Sequence, residues 1–222
     1  MLSRREFVGG SISLGAAAIV GSGLALPARS AHPVDRNFTV LRDGRSIGAH
    51  SITMARNGDE TVVDVEVEMA VKMAFITVFR LEHSNRETWR HGRLVKIDTK
   101  TNDNGKDYKI AGTAKGSSFE LVVNDEVLSI PSTIIPTSYW NPATVEQTVL
   151  LNSANGKLLD VAINRTETEQ VKAWYGEVPA DKYEMRGDLD LDLWYDADKH
   201  LVRLAFESRD SLIEYDLTGG TI

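Results

Sequence analysis

The sequence predicts a mainly β protein: a curved antiparallel sheet forming a half-barrel or barrel, with one short helix in a Pro-rich cap. Three observations carry this. From Asn37 onward apolar residues recur with period two, the mark of half-buried strands. Turn residues fall at regular short intervals between these runs. A single segment has the composition of a helix. Such a pattern describes an antiparallel sheet that curls into a barrel, half-barrel or sandwich.

The alternation is clearest from Thr61 to Met73, where Val63, Val65, Val67, Met69 and Val71 occupy one face and Asp64, Glu66, Glu68 and Lys72 the other. Helical spacing would mix Val65 with Glu66, Glu68 and Met69 on one stripe, so a strand explains the run better. The next stretch, Ala74 to Glu82, begins apolar on both faces, which predicts a strand covered on both sides. Shorter units flank these. Asp43-Gly44 separates Phe38–Leu41 from Ile47–Met54, Asn57-Gly58-Asp59 precedes the long strand, and His91-Gly92 separates Arg86–Trp89 from Leu94–Thr101. Asn102-Asp103-Asn104-Gly105, Lys115-Gly116-Ser117 and Asn124-Asp125 punctuate the runs Tyr108–Ala114, Phe119–Val123 and Val127–Ile130. Later runs are Leu158–Asn164, Val171–Tyr175, Tyr183–Arg186, Leu189–Tyr195, Leu201–Glu207 and Leu212–Leu217, about a dozen strands in all.

Pro131 to Leu151 departs from the pattern. Pro131, Pro136 and Pro142 cannot donate ladder hydrogen bonds, so this is no central strand. Asn141 as N-cap and Pro142 at the first helical position predict a short helix to about Leu151 that closes one end of the core or acts as a lid. Either role buries Trp140 at least in part.

Composition limits function. The 222 residues hold 25 Lys plus Arg against 32 Asp plus Glu, a net charge of -7, the wrong sign for a nucleic-acid or anionic-membrane binder. The chain has no cysteine, which excludes disulfides, zinc-thiolate sites, iron-sulfur clusters and thiol nucleophiles.

The N-terminus carries an address. Ser3-Arg4-Arg5-Glu6-Phe7-Val8 precedes an apolar stretch to Leu26 diluted by five glycines, a signal-peptide layout. It resembles the twin-arginine (Tat) export signal, with Arg4 and Arg5 as the defining pair. Cleavage is expected after Ser30 or Ala31, with Ala28 also acceptable. Residues 1–30 are thus read as the signal and 31–222 as a single antiparallel β domain. Without Arg4, Arg5, Glu6 and Arg29, that domain keeps 22 basic and 31 acidic residues. The expected location is the periplasm, the expected partner the Tat translocase, and no transmembrane anchor is expected after cleavage.

Several short motifs point to a family. Ser46-Ile47-Gly48-Ala49-His50, Glu87-Thr88-Trp89 before His91-Gly92-Arg93-Leu94, Thr101-Asn102-Asp103-Asn104-Gly105, Ser138-Tyr139-Trp140-Asn141 and Leu193-Trp194-Tyr195-Asp196 resemble an uncharacterised family of Tat-exported bacterial proteins. The likeness spans nearly all of the mature chain and implies no activity, since that family has no assigned function. The Gly187–Leu204 ending is similar, more remotely, to LolA-type lipoprotein carriers, which hold acyl chains in a half-barrel. That likeness is of architecture alone.

Candidate chemistry is sparse. The densest polar group is Glu82, His83, Glu87 and His91, which converges on a divalent metal only if folding brings both sides of a tight connection together. Asp188, Asp190 and Asp192 alternate with leucines, a calcium-like oxygen set or simply a solvated strand face. No nucleophile elbow, P-loop or dinucleotide fingerprint is present in the mature chain, so no cofactor is expected. Aromatic residues remain as candidate ligand contacts: Phe75, Phe79, Trp89, Tyr139 and Trp140 lie in or beside strands and cap of a sheet that can enclose an apolar cavity. These features together predict a binding or carrier module for an apolar or lipid-like molecule. The rival readings are a metal-assisted enzyme using His83, Glu87 and His91, and a structural partner in an envelope complex whose strand edges pair with another chain.

Overall fold

A computed structural model describes residues 34–73 and 75–221. The export motif, Arg4 and Arg5 included, and the expected cleavage site lie outside the described residues. The strands are β1 Val34–Arg42, β2 Arg45–Asn57, β3 Glu60–Met73, β4 Ile76–Arg90, β5 Arg93–Asp103, β6 Lys106–Lys115, β7 Ser118–Val123, β8 Glu126–Pro131, β9 Val149–Leu151, β10 Leu158–Ala173, β11 Gly176–Gly187, β12 Leu191–Asp196, β13 Leu201–Ser208 and β14 Ser211–Gly220.

All are neighbours in one antiparallel sheet of order β8-β7-β6-β5-β4-β3-β2-β1-β14-β13-β12-β11-β10-β9. The first and last strands pair in its middle, so the chain builds one wing outward from β1 and returns through the other. β8 and β9 each have one strand neighbour, so the sheet curves as a half-barrel without closing. Hairpin turns sit where the sequence marks them. Asp43-Gly44, His91-Gly92 and Asn104-Gly105 all have consecutive positive φ angles, the turn geometry that matches the twist of paired strands.

One face of the sheet is buried. Val63 and Val65 on β3, Ile97 on β5, Phe119 and Leu121 on β7, Leu193 on β12 and Phe38 on β1 are almost wholly shielded from solvent. Each such side chain contributes about 1.5–3 kcal/mol of burial. The concave face is filled by the chain's own segment from the end of β8 through β9 to the start of β10. Ile134, Ile135, Leu150 and Leu151 bury there, and the Tyr195 hydroxyl donates to the Tyr139 carbonyl at 2.7 Å. At its far end Gly156 lies so close to Val123 that an added Cβ would fall 2.4 Å from it, which brings the segment against the opposite wing.

Four expectations are corrected. The helix from Asn141 stops early: Asn141 does cap, accepting from the Ala143 amide, but a single 3-10 turn, Pro142–Glu146, follows it. Gln147 is back in extended backbone, and Val149–Leu151 becomes the edge strand β9, paired with Leu158–Asp160. β-branched residues and two buried leucines favour that pairing over further helix. Second, the separate runs Leu158–Asn164 and Val171–Tyr175 belong largely to one strand, β10, continuous through a bulge between Arg165 and Thr168. Third, Arg86–Trp89 is the end of β4, which begins at Ile76. Fourth, the stretch expected to be covered on both sides is instead exposed: Ile76 and Val78 are 70% and 42% accessible. The reason is topological, because β3 and β4 run on past the point where their neighbours end. Among the described residues no helix is long and apolar enough to cross a membrane.

Candidate functional site

β4 sends every second side chain inward, so His83, Asn85, Glu87 and Trp89 form a buried row. Glu87 has no exposed surface. Its Oε1 accepts from Asn85 Nδ2 at 2.7 Å, and its Oε2 accepts from the Trp89 indole at 2.7 Å and the Trp140 indole at 2.8 Å. The Ser138 hydroxyl lies beside the same carboxylate without reaching hydrogen-bond geometry. Burial pushes the Glu87 carboxyl above the usual range, and the donated hydrogen bonds oppose that shift.

The two indoles pack edge to face at 5.2 Å between ring centres. Trp140 is presented by an unusual piece of backbone. Its amide bonds the Ser138 carbonyl at 2.8 Å, closing a three-residue turn around Tyr139, whose φ is +57°. A γ-turn of this hand is rare and strained, and a bulky residue at positive φ persists only where its surroundings hold it. Here the Tyr195 hydroxyl holds the Tyr139 carbonyl from one side and Glu87 holds the Trp140 indole from the other.

Beyond the two indoles lies an open cleft of about 690 Å³, where the start of β1 meets the β2–β3, β4–β5 and β12–β13 turns. Its walls include Trp89, Trp140, Met54 and Val34, and Arg56, Asp59, Asp198 and Lys199 put both signs of charge around it. The volume falls within the range of small-molecule sites.

Of the aromatic residues expected to contact a ligand, Trp89, Tyr139 and Trp140 are therefore brought together, with the two tryptophans lining the cleft. Phe75 and Phe79 are not. They sit at the far end of the β3–β4 hairpin, roughly 40 Å along β4 from Trp89. Phe75 is fully exposed, and Phe79 is partly buried under the Arg209 guanidinium, 5.9 Å from its ring centre.

The proposed metal ligands are also separated. His83 Nδ1 meets the Thr101 hydroxyl at 2.8 Å and its Nε2 meets Ser153 at 3.4 Å, while His91 sits in the β4–β5 turn at the cleft. Asp188 and Asp190 precede β12 rather than sharing its face with Asp192. They accept from the Asp160 and Gly187 amides, and Asp192 pairs with Arg186 and Lys182. Among the described residues no group of three or more His, Asp or Glu side chains is placed to hold a metal ion.

Two features escape the sequence reading. Glu87 enters it only as a metal ligand and within a family motif, although its inward register between Asn85 and Trp89 marks a buried acid that needs donors. His50 enters it only within a family motif. It packs between Phe38 and Tyr215 at 5.4 and 5.5 Å, and neither ring nitrogen has a hydrogen-bond partner among the described residues. Burial, with His83 nearby, lowers its pKa to about 3, and burial lowers that of His83 to about 4.

Comparison with known proteins adds two likenesses. The family described as DUF6134, a domain of unknown function, matches residues 38–218. The chain is also similar to a crystallised beta-barrel-like protein of the DUF1849 domain of unknown function from Brucella abortus. That likeness has a TM-score of 0.59 and 9% identity over 87% of this chain and 98% of the other. At this identity it shows the fold alone. No curated protein matches the sequence.

Proposed function

This chain belongs to the DUF6134 family, and on that premise we propose that it is a binding or carrier module whose site is the cleft in front of Trp89 and Trp140. The observation that carries the reading is the clamp behind the cleft: one buried carboxylate holds both indoles, and a strained turn at Tyr139 presents the second. Strain of this kind is kept where a surface must be preformed. Aromatic walls with mixed charge around them suit a small amphipathic molecule, its apolar part against the indoles and its polar part among Arg56, Lys199 and Asp198. The half-barrel's concave face is filled by the Pro131–Leu158 connection, so the reading puts the ligand at this end rather than in an internal channel.

The location that goes with this reading is the periplasm, reached by the Tat route. What supports it is the Ser3-Arg4-Arg5-Glu6-Phe7-Val8 motif and its apolar sequel.

The test is native mass spectrometry of the protein purified from its own host, followed by titration with a lysophospholipid monitored by tryptophan fluorescence. A co-purifying molecule lost in Trp140→Ala, and a fluorescence change lost in Trp140→Phe, are expected. A bare mass together with an unresponsive Trp140 would overturn the proposal.

A further inference from the structure

The end of the sheet opposite the cleft carries a second feature. β2 pairs with β3 only as far as Gly48 and Met69, and β5 joins β4 only from Leu81. Past these limits, with the Arg80 carbonyl still accepting from the Asn104 amide, the pairs from Val71 with Phe79 to Met73 with Ile76 have no further ladder partner among the described residues, a two-stranded finger about 10 Å long. It ends in apolar residues. Phe75 is fully exposed, with Ile76 at 70% and Val78 at 42%.

The finger has one apolar face. The register shift between Val71 and Lys72 makes Val78 an extra residue, so Ile76, two pairs on from Val71 and Phe79, returns to their face, while Thr77 lies on the face of Lys72, with Phe75 at the apex. Charge points to what that face meets. The charged residues of the finger are Lys72 and Arg80, of which Arg80 pairs with Glu82 at the base, and Arg209 adds a cation against Phe79. No acid lies between Glu68 and Glu82, although the chain as a whole carries -7. A cationic tip on an acidic body turns the molecule tip-first toward an anionic surface.

We propose that the β3–β4 fingertip is a lipid-contact site that seats Phe75 and Ile76 in the headgroup and acyl boundary of a bilayer containing anionic lipid, with Lys72 and Arg209 at the phosphates. Depth is limited by the backbone. Among the described residues the outer edges of the finger have no neighbouring strand, and unpaired amides and carbonyls do not enter hydrocarbon. The finger therefore rests at the interface and does not span. Burial of two such side chains is worth about a hundredfold or more in partitioning.

The absence of cysteine makes a site-specific test direct. In the full chain, Val78→Cys carries an environment-sensitive nitrobenzoxadiazole label. Ser117→Cys, in the β6–β7 turn at the opposite end, serves as the control. Because the label reports its own surroundings, attachment through any other part of the chain leaves it unchanged. With vesicles of phosphatidylglycerol and phosphatidylcholine, the label at position 78 should shift to the blue and be quenched by brominated lipid, while the label at 117 should not. Phe75→Asp with Ile76→Asp should weaken this response about a hundredfold while circular dichroism and thermal unfolding stay unchanged. No shift at 78, an equal shift at both labels, or an equal response to pure phosphatidylcholine would overturn the proposal. So would a shift produced by soluble host protein and not by vesicles.

Discussion

The Trp140 indole donates to Glu87 Oε2 at 2.8 Å across 53 residues of sequence, and this bond fastens the connection between β8 and β9 to the middle of the sheet. The same oxygen also holds Trp89, so the acid fixes both aromatic walls of the cleft. Glu87→Gln keeps the shape but replaces the charged acceptor of the two indoles by a neutral one and turns an amide NH2 toward Asn85, whose amide must flip to accept it. It is expected to cost about 1–3 kcal/mol in urea unfolding, with a loss of near-ultraviolet tryptophan signal. Glu87→Ala should cost more, about 3–5 kcal/mol, by stranding both indole N–H groups and Asn85 around a cavity. An unchanged unfolding midpoint in both variants would mean that the carboxylate does not organise the site.

Acid should destabilise the fold through its buried histidines. The folded-state pKa values of His50 and His83, about 3 and about 4, lie below the unfolded value of 6.5. Between about pH 6.5 and 4 the unfolded chain therefore holds two protons that the folded chain does not, and stability falls with falling pH by roughly 3 kcal/mol per pH unit. Glu87 acts in the opposite sense, since its raised folded pKa gives stability that is lost as pH rises through that value. In His50→Phe, the proton uptake measured from urea midpoints across this range should drop by about one. The same variant should be more stable at pH 7 by about 1 kcal/mol, because neither His50 nitrogen has a partner among the described residues.

Backbone packing makes Gly48 irreplaceable. A Cβ there would lie 2.0 Å from the Glu68 carbonyl oxygen on β3, a backbone atom that cannot swing away. Gly48→Ala should cost about 1–3 kcal/mol or shift the β2–β3 register, whereas Gly219→Ala, whose nearest contacts are at 3.7 Å, should be close to neutral. Thermal unfolding of the pair decides this, and equal losses would contradict the close approach.

On the exposed side, Asp181 accepts from Arg165 at 2.6 Å and from Thr168 at 2.8 Å, and these bonds hold its carboxyl at about 2. In Arg165→Gln an NMR pH titration should find the Asp181 carboxyl moved back up toward the ordinary carboxylate range. Failure to move would show that Thr168 and Lys199 suffice.

Much of the fold is legible in the sequence because strand alternation and turn chemistry are local. Val63, Val65 and Val67 declare an inward face within a few residues, and Asp43-Gly44 or His91-Gly92 require positive φ whatever surrounds them. The errors arise where neighbours decide. Apolar residues on both faces at Ile76 and Val78 read as double cover, yet the adjacent strands end first. A correct cap at Asn141 reads as a helix, yet pairing with Leu158–Asp160 draws Val149–Leu151 into the sheet.

The candidate site divides along the same line. Trp89, Tyr139 and Trp140 could be named from the chain as aromatic candidates, but nothing local joins Trp140 to Glu87, 53 positions away, or separates Phe75 from them by the length of a strand. By itself the sequence determined the mainly β class, most of the strands and turns, and the lack of cysteine chemistry, since periodicity and composition act over a few residues. Only the tertiary structure decided that the sheet stays open, that its concave face is filled by its own connection, and that Glu87 holds two indoles. Those outcomes depend on which strands end where and on which buried groups find donors across the fold.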